Sequence, residues 1–240
     1  MRLDVENLAC IRGERRIFSH LSFWLGPGDA LLVTGRNGAG KSTLLDLLAG
    51  RLTPAAGAVR LFDAGDRTLP ECLHYVGHRD ALKSALTARE NLDFARDFLG
   101  SPALSAREAL EAVGLTHAAG LPVAYLSAGQ RRRIALARLL VARRPLWLLD
   151  EPTSALDAAS QENLRRLMEE HRQGGGMIIA TTHAPLELKN ARVIRIERAQ
   201  TPPPSAGEGA ERSEAGEGEN LDLPAPGPTG HPLPQRGEGE

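Results

Sequence analysis

The sequence predicts an α/β fold with a mixed sheet, an inserted helical segment and a disordered C-terminal tail. Three observations lead to this prediction. A short apolar strand runs into a glycine-rich loop and then into a helix within residues 30–51. The hydrophobic period changes from that of strands to that of helices over residues 80–144, and then changes back. Beyond residue 198 the composition shifts to proline, glycine and glutamate.

The chain of 240 residues is long enough for one substantial α/β domain or two small ones. A net charge of -1 gives no reason to expect nucleic acid as a partner. Cys10 and Cys72 match no metal-ligand spacing, so we expect two buried thiols in a reducing compartment. Residues 1–4 lack the apolar core of a signal peptide, and no apolar run reaches the roughly twenty residues that cross a bilayer.

The apolar pattern predicts the elements of the core in order. Residues 3–8 alternate as a half-buried strand does, with Leu8 out of register, and a second strand covers residues 17–25. Pro54 is expected to end the helix that follows the glycine-rich loop. Further strands are predicted at residues 30–33, 57–63, 73–77, 146–150, 177–182 and 193–196, and helices at 41–51 and 158–172.

The middle of the chain carries helix-start signals. Thr87 with Glu90, and Ser105 with Glu108, have the spacing of capping boxes. We therefore expect a discontinuous α/β core from residues 1–79 and 145–198, a helical subdomain from 80–144 and a tail from 199–240. The tail has scarcely any large apolar side chain with which to offset its chain entropy, so it is predicted to be disordered.

Residues 35–43 match the phosphate-binding loop, in which backbone amides at a helix N-terminus surround an anion. The predicted ligand is a nucleoside triphosphate. Lys41 would reach the β and γ phosphates, and the Ser42 hydroxyl would hold Mg²⁺. The residues predicted to bind the nucleotide here are Gly35, Asn37, Gly38, Ala39, Gly40, Lys41, Ser42 and Thr43.

Asp150 and Glu151 follow a buried parallel strand, which places both carboxylates at the sheet edge where ligands bind. Asp150 is predicted on the metal side, and Glu151 is predicted to be the general base for an attacking water. The alternative is a solvated acidic turn before Pro152.

Residues 126–130, Leu-Ser-Ala-Gly-Gln, precede an arginine-rich helix. The phosphate loop, this segment, Asp150-Glu151, residues 154–157 and His183 occur in the order found in ATP-binding-cassette (ABC) ATPases, which the sequence resembles over residues 1–198. The resemblance implies a phosphate-loop NTPase core that uses ATP and Mg²⁺.

The resemblance also implies a homodimer. Ser127, Gly129 and Gln130 would meet the γ-phosphate bound by the other subunit. His183 would contact the γ-phosphate and hold the water in line with Glu151, so that Glu151, His183 and Lys41 form the catalytic set. Asp157 is expected to couple the two sites.

Three positions depart from the family pattern. Ala128 replaces a glycine of the signature, which is tolerated if its φ is negative. His78 stands where members usually have a glutamine that senses Mg²⁺ and the membrane partner. Arg12 stands where an adenine-stacking aromatic is expected, and Phe18 is the nearest aromatic.

The sequence resembles the ATPase subunits of bacterial cytochrome c maturation systems at residues 77–83, 86–87, 90–92, 126–130 and 182–186. This narrower resemblance implies a peripheral subunit on the cytoplasmic face of the inner membrane. The implied partners are integral membrane subunits resembling CcmB and CcmC and, indirectly, the haem chaperone CcmE. The implied work is haem export or release of the haem-loaded chaperone, and a groove over residues 78–98 would receive the membrane subunit.

Three alternatives stay open. The chain could be a soluble ABC ATPase of cofactor assembly, the ATPase subunit of a different ABC exporter, or a nucleotide-binding regulator without turnover. The last is disfavoured because Lys41, Asp150, Glu151 and His183 are all present. His74 and His78 are interpreted as structural and nucleotide-sensing residues, and not as iron ligands.

Overall fold

The computed structural model describes residues 1–183 and 186–197, and the predicted disordered tail at 199–240 lies outside them. The described helices are α1 (Lys41–Leu48), α2 (Leu69–Cys72), α3 (Ala88–Leu99), α4 (Ala106–Ala112), α5 (Ala128–Val141) and α6 (Ala158–Gln173). The described strands are β1 (Arg2–Arg12), β2 (Arg15–Leu25), β3 (Ala30–Thr34), β4 (Ala56–Phe62), β5 (Leu73–Val76), β6 (Leu146–Asp150), β7 (Met177–Thr181) and β8 (Arg192–Arg195).

The predicted α/β fold is confirmed, and its strands lie in two sheets. One sheet is antiparallel, with the order β2-β1-β4. The other is parallel and five-stranded, with the order β5-β6-β7-β3-β8. Every residue of β6 and β7 is buried, which agrees with their continuous apolar sequences. The carboxyl ends of β3, β6 and β7 therefore meet at one edge of the parallel sheet.

β1 is longer than the predicted strand at residues 3–8. Its register with β2 shifts between Val5 and Leu8, and Asn7 adopts a φ of 47° there. An irregularity of this kind returns an apolar side chain to the core side after an extra residue. This explains why Leu8 breaks the alternation and is nevertheless fully buried.

α1 ends earlier than predicted, and Pro54 is not what ends it. The last helical residue is Leu48, and Gly50 follows with a φ of 69°. The amides of Gly50 and Arg51 bond to Leu47 O and Asp46 O, as in a glycine C-cap. The predicted capping boxes at Thr87 and Ser105 are both present at the starts of α3 and α4.

Three groups of buried side chains fill the fold. One lies between the antiparallel sheet, α1 and the parallel sheet, and includes Leu3, Leu25 and Leu44. A second lies on the α6 side of the parallel sheet. A third lies within α3, α4 and α5, so the helical segment has a core of its own. The proposed division at residues 79/80 and 144/145 agrees with this third core and stays a prediction.

Cys10 and Cys72 are both buried and free, as the sequence predicted. Burial raises the pKa of the Cys10 thiol. Within residues 1–183 and 186–197, no helix is long and apolar enough to cross a membrane.

Candidate active site

The glycine-rich loop connects the end of β3 to the start of α1. A Cβ at Gly35 would lie 2.3 Å from Ile196 O, and one at Gly40 would lie 2.4 Å from Ile17 Cγ2. Gly35, Gly38 and Gly40 have φ values of 143°, 74° and 109°. Glycine is required at Gly35 and Gly40 for both reasons, because the neighbours are close and the backbone is left-handed.

This loop forms one wall of a cavity of about 460 Å³. The other residues that line this cavity are Arg12, Ile17, His78, Glu151 and His183. Such a mixture of backbone donors, a lysine and few apolar groups suits a phosphate-bearing ligand. The predicted loop residues Asn37, Gly38, Gly40, Lys41, Ser42 and Thr43 all line this cavity.

Lys41 is 5% exposed, and its ammonium group is held inside the loop. Nζ donates to Gly35 O at 3.0 Å and to Arg36 O at 3.4 Å. It also lies 2.8 Å from His183 Nε2. Among the residues that the structure describes, this buried ammonium is paired with carbonyl oxygens and a ring nitrogen and with no carboxylate, so the loop fits an anionic ligand.

His183 brings the lysine and the predicted base together. Its Nε2 lies 2.9 Å from Glu151 Oε1 as well as 2.8 Å from Lys41 Nζ. A single ring nitrogen either accepts from the ammonium or donates to the carboxylate, so only one of these contacts is a hydrogen bond in a given protonation state. Sequence reasoning placed these three residues in one catalytic set, and the fold brings them into contact.

Thr181 at the end of β7 fixes the carboxylate loop after β6. Its Oγ1 donates to Asp150 Oδ1 at 2.6 Å and accepts from the Glu151 amide at 2.9 Å. Glu151 has a φ of 46°, a left-handed conformation that costs a non-glycine residue about 1–2 kcal/mol. A strained residue held from a neighbouring strand is typical of functional sites. Thr181 was not predicted, since its pairing with β6 depends on strand order.

Ser42 and Asp150 line a second cavity of about 420 Å³, which also includes His78. A hydroxyl and a carboxylate are hard oxygen donors that suit Mg²⁺. No cluster of three or more His, Cys, Asp or Glu that could hold a metal occurs among the described residues. Mg²⁺ usually takes one or two protein oxygen ligands beside phosphate and water, and Ser42 and Asp150 offer two such oxygens.

Phe18, the aromatic residue nearest to Arg12 in sequence, faces the core. Phe18 is 6% exposed, and its Cδ1 would lie 3.4 Å from a Cβ at Gly40. It therefore packs beneath the loop and cannot stack on a base in the cavity. Ile17 and Arg12 line that wall in its place, and Ile17 was not singled out from the sequence.

The signature segment lies at the start of α5 and outside both cavities. Ser127 caps the helix: its Oγ accepts from Gln130 N at 3.2 Å, and Gln130 Oε1 accepts from Ser127 N at 2.9 Å. Ala128 is exposed and has a negative φ, so the condition for tolerating it is met. Within one chain the fold does not bring Ser127, Gly129 or Gln130 to the phosphate loop.

Asp157 begins α6 as its N-cap, with Oδ1 accepting from Ser160 N at 2.8 Å. Hydrogen bonds from Ser160 lower the pKa of the Asp157 carboxyl. Asp157 belongs to the same exposed turn as Ala155, which contacts the signature segment, and it contacts neither cavity.

The sequence model of the ABC transporter family matches residues 18–154, which is more than half of the chain. This chain belongs to the ABC transporter family. It is accordingly an ATPase of the ABC type.

Two relatives with high sequence identity carry the same name. The chain is 57% identical over 198 residues to "Cytochrome c biogenesis ATP-binding export protein CcmA" of Rhodopseudomonas palustris (strain BisB5), covering 82% of this chain and 98% of the relative. A protein of the same name from Bradyrhizobium diazoefficiens is 54% identical with the same coverage. The family resemblance inferred from the motifs is thereby confirmed.

Solved structures agree on the fold. A dimeric ATP-binding cassette in a post-hydrolysis state, bound to ADP and Pi, is 26% identical with a TM-score of 0.66, covering 76% of this chain and 88% of that one. A putative ABC transporter ATP-binding protein of Pyrococcus furiosus is 18% identical with a TM-score of 0.69, covering 82% and 98%. The second likeness concerns the fold alone.

Proposed function

We propose that this chain is the ATP-hydrolysing subunit of a membrane ABC complex for cytochrome c biogenesis, a translocase that drives haem export or release of a haem-loaded chaperone. The observation that carries the ATPase part is the contact of Lys41, His183 and Glu151 at the rim of the phosphate loop. The cytochrome c part rests on relatives named CcmA at 57% and 54% identity.

Nucleotide binding requires Lys41 to exchange partners. In the described geometry its Nζ bonds to the carbonyls of Gly35 and Arg36 and contacts His183. Phosphate oxygens of ATP are stronger acceptors for an ammonium than neutral carbonyls are. When Lys41 turns to the phosphates, His183 Nε2 is released from the ammonium, and its single N–H can donate either to the Glu151 carboxylate or to the γ-phosphate.

Ser42 and Asp150 are the residues that would hold Mg²⁺, since both line the same cavity. A Mg²⁺ ion held there would offset the negative charge of the phosphate oxygens. The Thr181 hydroxyl donates a hydrogen bond of 2.6 Å to Asp150 Oδ1 and so fixes the orientation of this carboxylate.

Glu151 acts as the general base. Its carboxylate accepts a proton from a water whose oxygen attacks the γ-phosphorus, and the bond from that phosphorus to the bridging oxygen of ADP breaks. The products are ADP and inorganic phosphate. His183 holds the Glu151 carboxylate at 2.9 Å and so keeps the base in place for the attack.

Two copies of the chain are needed for a complete site. Ser127, Gly129 and Gln130 lie away from the phosphate loop of their own chain, and a related cassette is described as dimeric with ADP and Pi bound. We place the signature helix of one subunit against the γ-phosphate of the other, where the α5 N-terminus offers amides to the anion.

The membrane partners are proposed to be integral subunits resembling CcmB and CcmC, with CcmE acted on indirectly, at the cytoplasmic face of the inner membrane. The docking surface is the groove over residues 78–98. Phe94 and Phe98 are 49% and 77% exposed on α3 and stack with ring centroids 5.9 Å apart. An exposed aromatic pair of this kind is typical of contact sites for other proteins.

The test of the proposed ATPase activity is Glu151→Gln. The amide cannot take a proton from water, so we expect the turnover number for ATP to fall at least about a hundredfold while the affinity for ATP stays within about twofold. Phosphate release and equilibrium binding of a fluorescent ATP analogue measure the two quantities.

The matched control is Glu162→Gln, since Glu162 is an exposed carboxylate on α6 paired with Arg165 and outside both cavities. It should keep wild-type turnover. Unchanged turnover in Glu151→Gln would show that Glu151 is not the base.

A further inference from the structure

Arg132 is a buried arginine on α5 that reaches two other segments of the chain. It is 4% exposed. Its Nη2 donates to Asp150 O at 2.8 Å and to Glu151 O at 2.9 Å, and Nε donates to Pro152 O at 3.4 Å. Its Nη1 donates to Gly77 O at 2.8 Å and to Asp80 Oδ1 at 3.3 Å.

A buried guanidinium is costly unless its donors are paired, and here they are paired chiefly with backbone carbonyls. A planar fork of donors can hold several carbonyls in a fixed relation, which a flexible ammonium cannot do. The side chain thus ties the signature helix to the loop after β5 and to the carboxylate loop after β6.

The hydrogen bond from Arg132 helps to fix the backbone of Glu151. The Glu151 amide is held by Thr181 Oγ1, and its carbonyl accepts from Arg132 Nη2 and from Ser154 N. Both peptide groups of this residue are therefore fixed while its φ stays at 46°. Because the backbone conformation sets the direction of the side chain, fixing these groups aims the carboxylate.

We propose that Arg132 is a positioning residue for Glu151. Its ion pair with Asp80 then couples the orientation of the Glu151 carboxylate to the loop that carries His78. The inference rests on the proposed function in one respect, which is that Glu151 is the base. Arg132 lines neither cavity and so acts through Glu151 and not on the nucleotide.

The first test is Arg132→Lys in the full-length chain. Lysine keeps the charge but cannot bridge the carbonyls of Asp150 and Glu151 together. We expect kcat to fall about tenfold, with the KM for ATP and the binding of a fluorescent ATP analogue changed less than about twofold, as for a small misplacement of a catalytic group. A loss of affinity at unchanged kcat would overturn the proposal.

Arg172→Lys is the matched control. Arg172 also donates to two backbone carbonyls, Gly28 O at 2.9 Å and Lys189 O at 2.7 Å, and pairs with Glu169 at 3.0 Å. It lies on α6 away from both cavities. We expect a similar loss of thermal stability and no change in kcat. An equal fall in kcat in both variants would reduce Arg132 to a structural role.

The second test repeats Arg132→Lys in a Glu151→Gln chain. If Arg132 acts through Glu151, the double variant hydrolyses ATP no more slowly than Glu151→Gln alone. A further loss in the double variant would contradict the proposal. Full turnover in Glu151→Gln would refute the proposed base. Loss of turnover in Glu151→Gln together with wild-type turnover in Arg132→Lys would refute only the positioning role of Arg132.

Asp80→Asn serves if Arg132→Lys fails to fold, because Asp80 is 24% exposed and Arg132 stays in place. We expect kcat to fall about twofold to threefold with unchanged KM. Unchanged kcat would remove the link to the His78 loop from the proposal.

Discussion

Gly129 and Ala128 are neighbours in the signature segment, and a methyl group has different consequences at the two positions. A Cβ at Gly129 would lie 2.9 Å from Ala155 O, a contact that backbone must move to relieve. The Ala128 methyl is exposed and its φ is negative. The family's second signature glycine is therefore needed for close approach to the turn before Asp157, whereas the first is dispensable in this fold.

We predict that Gly129→Ala lowers ATP turnover at least about tenfold, because the signature helix must move away from residues 154–157. Ala128→Gly should leave turnover within about twofold and cost about 0.5–1 kcal/mol of folding free energy. Steady-state phosphate release and thermal unfolding measure both variants. Equal turnover in the two would show that the contact with Ala155 carries no function.

At the residue scale, the motifs predicted Lys41, Glu151 and His183 because each motif is a contiguous segment with a fixed chemistry. They did not predict Thr181 or Arg132, whose partners lie 18 to 55 positions away in sequence. Such contacts depend on which strands are neighbours and on where α5 crosses the sheet. The sequence also could not show whether Phe18 is able to stack on a base, because only the packing shows that its side chain faces the core.

At the element scale, the edge where β5 and β6 begin contains a buried histidine. His74 is 6% exposed, and its Nε2 donates to Ala142 O at 2.9 Å. Burial lowers the pKa of His74 from 6.5 to about 4, and the nearby Arg144 and Arg138 act in the same direction. Burial likewise lowers the pKa of His171, which stacks on Trp147, to about 4.

Because these pKa values are depressed, each histidine stays neutral in the folded chain while the unfolded chain takes up a proton below pH 6.5. Stability is therefore complete above pH 6.5 and falls as the pH drops toward 4. We predict a loss of about 2 kcal/mol of unfolding free energy per histidine at pH 5, relative to pH 8. Urea unfolding at several pH values measures it.

His74→Gln tests the assignment, since an amide can still donate to Ala142 O but does not titrate. It should remove about half of the pH dependence that the two histidines create. An undiminished slope between pH 6.5 and 5 would show that His74 is not one of the groups responsible.

The starts of helices were predicted correctly where hydrogen bonds between neighbouring residues determine them. The capping boxes of α3 and α4 were visible as Thr87 with Glu90 and Ser105 with Glu108. The end of α1 was misplaced because Gly50, a left-handed C-cap, acts before Pro54. The division of the strands between two sheets could not be predicted, since it depends on pairing between segments far apart in the chain.

At the scale of the whole molecule, the proposed complete site takes the signature face and the phosphate loop from different copies. The Ser127 hydroxyl and the α5 N-terminus are exposed on one surface, and Lys41, Glu151 and His183 line the cavity elsewhere on the chain. A closed dimer would pair each cavity with the partner's signature face. Sequence alone gave this expectation through the family resemblance, because spacing says nothing of a second copy.

We predict that Glu151→Gln forms a stable dimer in Mg-ATP, and that adding Ser127→Arg abolishes it by placing a bulky side chain at the interface. Size-exclusion chromatography with light scattering measures the mass. Ser105→Arg is the matched control, because Ser105 caps α4 with the same capping-box geometry. A dimer that survives Ser127→Arg would contradict the composite site.

The most direct test of the proposed function is affinity purification of tagged Glu151→Gln, held in Mg-ATP, from gently solubilised membranes of cells that make the cytochrome c biogenesis proteins. Mass spectrometry identifies the partners, and a visible absorption spectrum reports haem. We predict recovery of integral membrane subunits resembling CcmB and CcmC, with a haem signal that ATP alters. Recovery of a different permease, or of a soluble dimer alone, would contradict the proposed function.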